Sequence, residues 1–115
     1  MMWVPSTEAF IAKAGPSVAA YTEGDHATAV AIFLSAAGGL DWDACRSLIE
    51  QHVPGGVAQA IADADTFFSI ELPAAAGWRI TPEQAATISQ PVLIVLGARS
   101  EPMFDEAAKL LSEDR

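Results

Sequence analysis

The residues of this sequence whose types could do chemistry are few: one cysteine, two histidines and scattered carboxylates. Cys45 lies among apolar neighbours and reads as a small core residue; a lone thiol excludes an internal disulfide and a multi-thiolate metal site. His26 falls in the first turn of one predicted helix and His52 in the last turn of another, where the helix dipole favours a cation. Neither has a second His, Cys or acid at ligand spacing, so no metal site is expected. Glu101 and Asp105 sit in the first turn of a closing helix, a place the dipole alone explains. Asp65 has the most pointed position. On a helical wheel it lies within ~60° of both Ile61 and Phe68, beside an apolar stripe. A carboxylate there needs a partner, with Arg79 the candidate, or a polar cavity to face.

The elements that must position these groups are mostly helices. Ser6 can cap a first short helix that Gly15-Pro16 stops, and a second runs from Pro16 to Gly24. Asp25 caps a third, with Val30, Phe33, Leu34 and Ala37 at helical spacing until Gly38-Gly39. Asp41 caps a fourth carrying Trp42, Cys45, Ile49 and Val53, broken by Pro54-Gly55-Gly56. A fifth shows the clearest stripe: Val57, Ile61, Ala64, Phe68 and Leu72, ended by Pro73 with a loop over residues 74–78. Thr81-Pro82-Glu83-Gln84 is a capping box opening a short sixth.

Then the period changes. After Pro91, the run Val92-Leu93-Ile94-Val95-Leu96-Gly97 has the character of a strand buried on both faces of a parallel sheet. A last helix follows, with Ser100 as its cap and Met103, Ala107, Leu110 and Leu111 inward. The expected fold class is therefore mainly α: five to six short helices, one buried strand and a C-terminal helix. Such a strand needs neighbours, and residues 1–4 are the only other candidate. Either strands outside this sequence or a second copy must supply its edges, so self-association through residues 92–96 or exposed apolar helix faces is expected.

The stretch Gln90-Pro91-Val92-Leu93-Ile94-Val95-Leu96-Gly97-Ala98-Arg99-Ser100 resembles the late strand that follows the cap domain in α/β-hydrolases. Tyr21-Thr22-Glu23-Gly24-Asp25 with Ala29 and Phe33, and Phe67-Phe68, Glu71-Leu72-Pro73 and Trp78, resemble helices of that cap. The resemblance spans residues 16–112. It implies a cap or lid over 1–90, a core strand and helix over 91–115, and a cofactor-free hydrolase of ester, C–C or epoxide type. It also implies a serine nucleophile in Gly-x-Ser-x-Gly and a histidine base after the last strand. The nearest match to the first is Gly15-Pro16-Ser17-Val18-Ala19, which lacks the last glycine and follows a helix, and no histidine follows Ser100. The position where many members carry an acid is Ser100. No catalytic residue is therefore assigned, and the expectation is an interior segment of such a hydrolase, inactive alone. Caps of this family line the substrate site, which makes Trp42, Asp65, Phe67, Phe68 and Trp78 the candidate ligand-binding residues and an apolar small molecule the candidate ligand. The alternative is a small self-associating helical module that binds an apolar ligand or a protein. A tetratricopeptide pair, to which Tyr21, Gly24-Asp25, Ala29 and Phe33 are also similar, lacks its 34-residue repeat here.

Composition bounds the partners. Fifteen acidic against 6 basic residues give a charge of −9, with no basic cluster, so nucleic acid and anionic membranes are not expected. At 51% hydrophobic and 18% charged, the 115 residues can build one core, thin because much of it is alanine. No apolar segment approaches ~20 residues and none opens the chain as a signal, so a soluble cytoplasmic protein is expected.

Overall fold

The computed structural model describes residues 4–114, and among these every regular element is a helix. They are α1 (Thr7–Thr22), α2 (His26–Gly38), α3 (Trp42–His52), α4 (Gly56–Ala62), α5 (Ala64–Thr66), a π-helical segment (Phe67–Glu71), α6 (Leu72–Gly77), α7 (Pro82–Ala86) and α8 (Pro102–Asp114). Among the described residues no helix is long and apolar enough to cross a membrane. The first two form an antiparallel hairpin: Tyr21 meets His26 at its turn, and Phe10 meets Phe33 at the far end. Small residues let the two backbones approach, since Ala29 and Ser17 are wholly buried and Ala14 and Ala20 nearly so. The main core joins Ala20, Ala29 and Val30 to Ala64 and Phe68. At the start of α1, Ser6 gives both its N–H (3.0 Å) and its hydroxyl (2.8 Å) to the Glu106 carboxylate, which docks α8 there. Lys13 and Glu101 add an ion pair at 3.2 Å.

Several helix limits follow the capping chemistry read from the sequence. Asp25 accepts from the Thr28 N–H and Asp41 from the Ala44 N–H. Thr81 and Gln84 make both halves of the capping box. Gly39 ends α2 at φ +68°, a left-handed position that suits glycine.

Other limits moved. Pro16 does not divide two helices; it lies inside the single helix α1. Only one backbone bond is lost at such a proline, and packing of α1 along the whole of α2 outweighs it. Ser6 makes no capping bond of its own, because its hydroxyl is committed to Glu106. The stripe expected to be one helix from Val57 is interrupted at Asp63 and widened into the π segment, and the expected loop at 74–78 is largely helix α6. Pro73 explains the widening. It has no N–H to give to the carbonyl four residues back, and its ring crowds that carbonyl. The Leu72 N–H reaches instead to the Phe67 carbonyl, one residue further than in an α-helix. Likewise α8 starts at Pro102, beyond Ser100; Met103 and Ala108 are its buried residues.

The buried strand is the main correction. Residues 92–96 form no strand, no sheet exists among the described residues, and all five side chains are exposed. A strand exists only through its ladder, and the described residues offer no neighbour to make one. Residues 1–3 of the other strand candidate lie outside the described residues; Val4 is buried, its N–H bonded to the Thr7 hydroxyl.

Two tests follow from the caps. Asp41→Ala should cost about 1 kcal/mol in urea denaturation, with Asp41→Ser recovering most of it. The Asp25 carboxyl is held below its ordinary value by its hydrogen bonds with Thr28. Its native pKa being the lower one, its contribution is complete above the unfolded-state value and is lost as pH falls through the native value. Asp25→Asn should therefore flatten the acid limb of the melting-temperature profile; an unchanged limb would refute this.

Candidate functional site

The π turn has a consequence for side chains. By widening the helix it brings consecutive Phe67 and Phe68 round to the same neighbour on α2, Phe33. The Phe33 and Phe67 rings lie 4.7 Å apart, Phe33 and Phe68 6.2 Å, and Phe67 and Phe68 5.0 Å, all edge-to-face. Each such contact adds about 0.5–1.5 kcal/mol to the area the rings bury. Beside this triangle runs a groove of about 250 Å³, its walls Val30, Phe33 and Leu34 from α2, Ala60 from α4, Ala64 from α5, and Phe67 and Phe68. The alanines leave the space that the three rings surround, and its lining is apolar throughout.

On the other face of Phe68 lies a polar knot. Tyr21 stacks on Phe68 at 5.0 Å and on His26 at 5.1 Å. Its hydroxyl donates to Asp65 Oδ1 at 2.7 Å, and Ser69 Oγ lies 2.7 Å from the Tyr21 hydroxyl oxygen. With the tyrosine proton given to Asp65, the Ser69 hydroxyl donates to Tyr21, a directed chain from serine through phenol to carboxylate. His26 Nε2 lies 3.8 Å from Asp65 Oδ1. The knot is largely open to solvent, and it ties the α1–α2 turn to the π segment.

The sequence candidates therefore separate. Phe67 and Phe68 line the groove and Asp65 stands at its polar neighbour, but its partners are Tyr21 and His26 and not Arg79. The Arg79 guanidinium donates to the carbonyls of Ala76 and Trp78, at the end of α6. Trp42 lines a different and more open cleft of about 520 Å³ with Lys13, Ile32, Leu40 and Glu101. Trp78, half exposed, lines neither. Sequence reasoning did not single out Phe33, Tyr21 or Ser69 for this site. The stripe of α2 contained the first, but nothing in the sequence says that Tyr21 meets residues 44 and 48 positions away.

The groups considered for chemistry have structural settings. Ser17 is wholly buried with its hydroxyl bonded to the Ala14 carbonyl. Burial, with a smaller push from the charge of Asp41, raises the Cys45 thiol above its ordinary value, and its sulfur faces the Leu34 carbonyl at 3.8 Å. Asp105 pairs with Lys109 at 3.0 Å one helical turn on. Among the described residues no group of three or more His, Cys, Asp or Glu side chains could hold a metal ion. What the site can do is enclose an apolar body, with hydroxyl, carboxylate and imidazole groups nearby. No family model, no curated protein and no solved structure matches the chain.

Two substitutions separate packing from polar tying. Phe68→Ala removes the ring shared by groove and knot and should cost about 3–5 kcal/mol in denaturant unfolding. Tyr21→Phe keeps both stacks and loses only an exposed hydroxyl network, so its cost should stay below about 1.5 kcal/mol. Equal costs would contradict this division.

Proposed function

We propose that this chain binds an apolar small molecule in the groove between α2, α4 and the π segment, as the lid of a cofactor-free hydrolase of the α/β-hydrolase kind. One coincidence supports the reading. Phe67-Phe68 and Glu71-Leu72-Pro73, which carry much of the sequence resemblance to such caps, include the groove's aromatic wall and the proline that accounts for it. In this role the lid excludes water and holds the apolar part of an ester, epoxide or C–C substrate, while nucleophile and base come from a catalytic body that these 115 residues do not supply. Ser17 cannot serve as that nucleophile, since no substrate carbonyl can reach a wholly buried hydroxyl. The second reading is a free-standing helical binding module, favoured by a groove whose walls all lie within residues 30–68. We also propose that the chain self-associates through residues 92–96.

The groove can be probed with N-phenyl-1-naphthylamine, whose emission rises in apolar surroundings. The wild type should enhance it, and Ala60→Trp, which fills the groove, should abolish the response while leaving the helical circular dichroism intact. Undiminished enhancement in Ala60→Trp would place the probe elsewhere and sink the groove. Displacement by hydrophobic esters and epoxides better than by hydrocarbons of equal size supports the lid; equal displacement supports the module. The chain alone should not hydrolyse 4-nitrophenyl esters, and turnover lost on Ser17→Ala would overturn the assignment of catalysis to another body.

A further inference from the structure

The cleft of about 520 Å³ that Trp42 lines is built differently from the groove beside Phe68, and the two share no lining residue. Its walls include the apolar Ile32, Leu40 and Trp42, but Lys13, Ser35 and Glu101 stand among them. The Glu101 side chain is only 15% exposed. Among the described residues one donor alone meets its carboxylate, the Lys13 ammonium, at 3.2 and 3.3 Å from the two oxygens. A carboxylate has lone pairs for about four hydrogen bonds, so about half of that capacity is unused where little water reaches.

The surroundings of Glu101 add negative charge to its own. One of its oxygens lies so close to Gly39 that a side-chain carbon there would stand 3.1 Å away. Gly39 caps the C-terminal end of α2, whose last carbonyls carry the negative end of the helix dipole, and no basic residue occupies that last turn. Ser35, one turn earlier, has its hydroxyl oxygen buried without a hydrogen-bond partner. A serine inside a helix can give that proton to the carbonyl one turn back; this one does not, so an unsatisfied polar group is left in the wall of the cleft.

We infer that this cleft binds an organic ammonium ion carried on a small apolar body, of the arylalkylamine class. Charge selects the sign of the ligand: Glu101, the carbonyl end of α2 and a chain of −9 all favour a cation. Trp42 favours the same sign, because the face of an indole ring attracts a cation. An ammonium group has three donors, enough for the unused lone pairs of Glu101 and for the Ser35 oxygen, while Ile32 and Leu40 cover the apolar body. Lys13 is a cation already at this carboxylate, and that fixes its role. It is 56% exposed on a flexible stem, so it returns to water at little cost when the ligand takes its place. Lys13 is therefore the ligand's competitor. A carboxylate ligand would need Lys13 as its anchor and would meet Glu101 and the α2 carbonyls with like sign.

Titration of the isotope-labelled full chain with phenethylamine, followed by amide NMR, tests this. Shifts should concentrate on residues 35–42 and the Trp42 indole N–H. Hydrocinnamate, of similar size and opposite charge, should bind at least about tenfold more weakly, a comparison made on the wild type and independent of how any variant folds. Glu101→Gln should weaken phenethylamine by at least about tenfold, Lys13→Met should tighten it, and Ala60→Trp should leave it unchanged. Hydrocinnamate binding as well as phenethylamine, Glu101→Gln without effect, or Lys13→Met weakening the amine overturns the selection of a cation. No shifts at residues 35–42 with millimolar amine, or their loss in Ala60→Trp, overturns the site.

Discussion

Phe68 is the side chain on which three parts of the molecule close. Tyr21 from α1 stacks on its face, Phe33 from α2 meets it edge-on, and Phe67 beside it completes the aromatic contact. In a core built largely of alanine, each such ring weighs heavily, since an aromatic side chain buries about 150–250 Å². The groove exists because these rings stand against alanines at 60 and 64 and are not matched by other large groups. Stability and the proposed binding therefore draw on the same few atoms. Filling the groove improves packing and removes the site, whereas deleting Phe68 removes both.

Backbone constraints then decide where the rings point. Pro73 cannot complete an α-helical turn, the chain answers with a π turn, and that turn sets Phe67 and Phe68 on a common neighbour. Pro16 shows the same residue type with the opposite outcome. It costs α1 one hydrogen bond without bending the chain away, because the helix is held along its length by α2. The difference lies in what each helix packs against. The second helix is short, ends at Gly77 and rests on a part of the fold with few large buried side chains, so the local preference of the proline is expressed there.

Residues 92–96 obey a constraint of another kind. Their side chains have the β-branched, apolar character that favours strands, yet all five are exposed and no strand forms. Pairing is not local, and no part of the described chain is free to provide it. The result is an exposed apolar segment on an otherwise acidic chain.

By itself the sequence determined what depends on near neighbours along the chain. Asp25, Asp41 and the Thr81/Gln84 box start helices because a cap and the N–H it accepts lie within three residues. Gly39 ends α2 because glycine takes that left-handed backbone geometry without strain. The stripe around Phe68 also placed that ring on a buried side. Only the tertiary structure decided which residues would face each other. It carried α1 through Pro16, gave the Ser6 hydroxyl to Glu106, turned Asp65 towards Tyr21 in place of Arg79, sent Trp42 to a separate cleft, and left the expected strand without a sheet. Each of these is a balance between a local preference of about 1–3 kcal/mol and packing or pairing with residues tens of positions away, and the second term cannot be read along the chain.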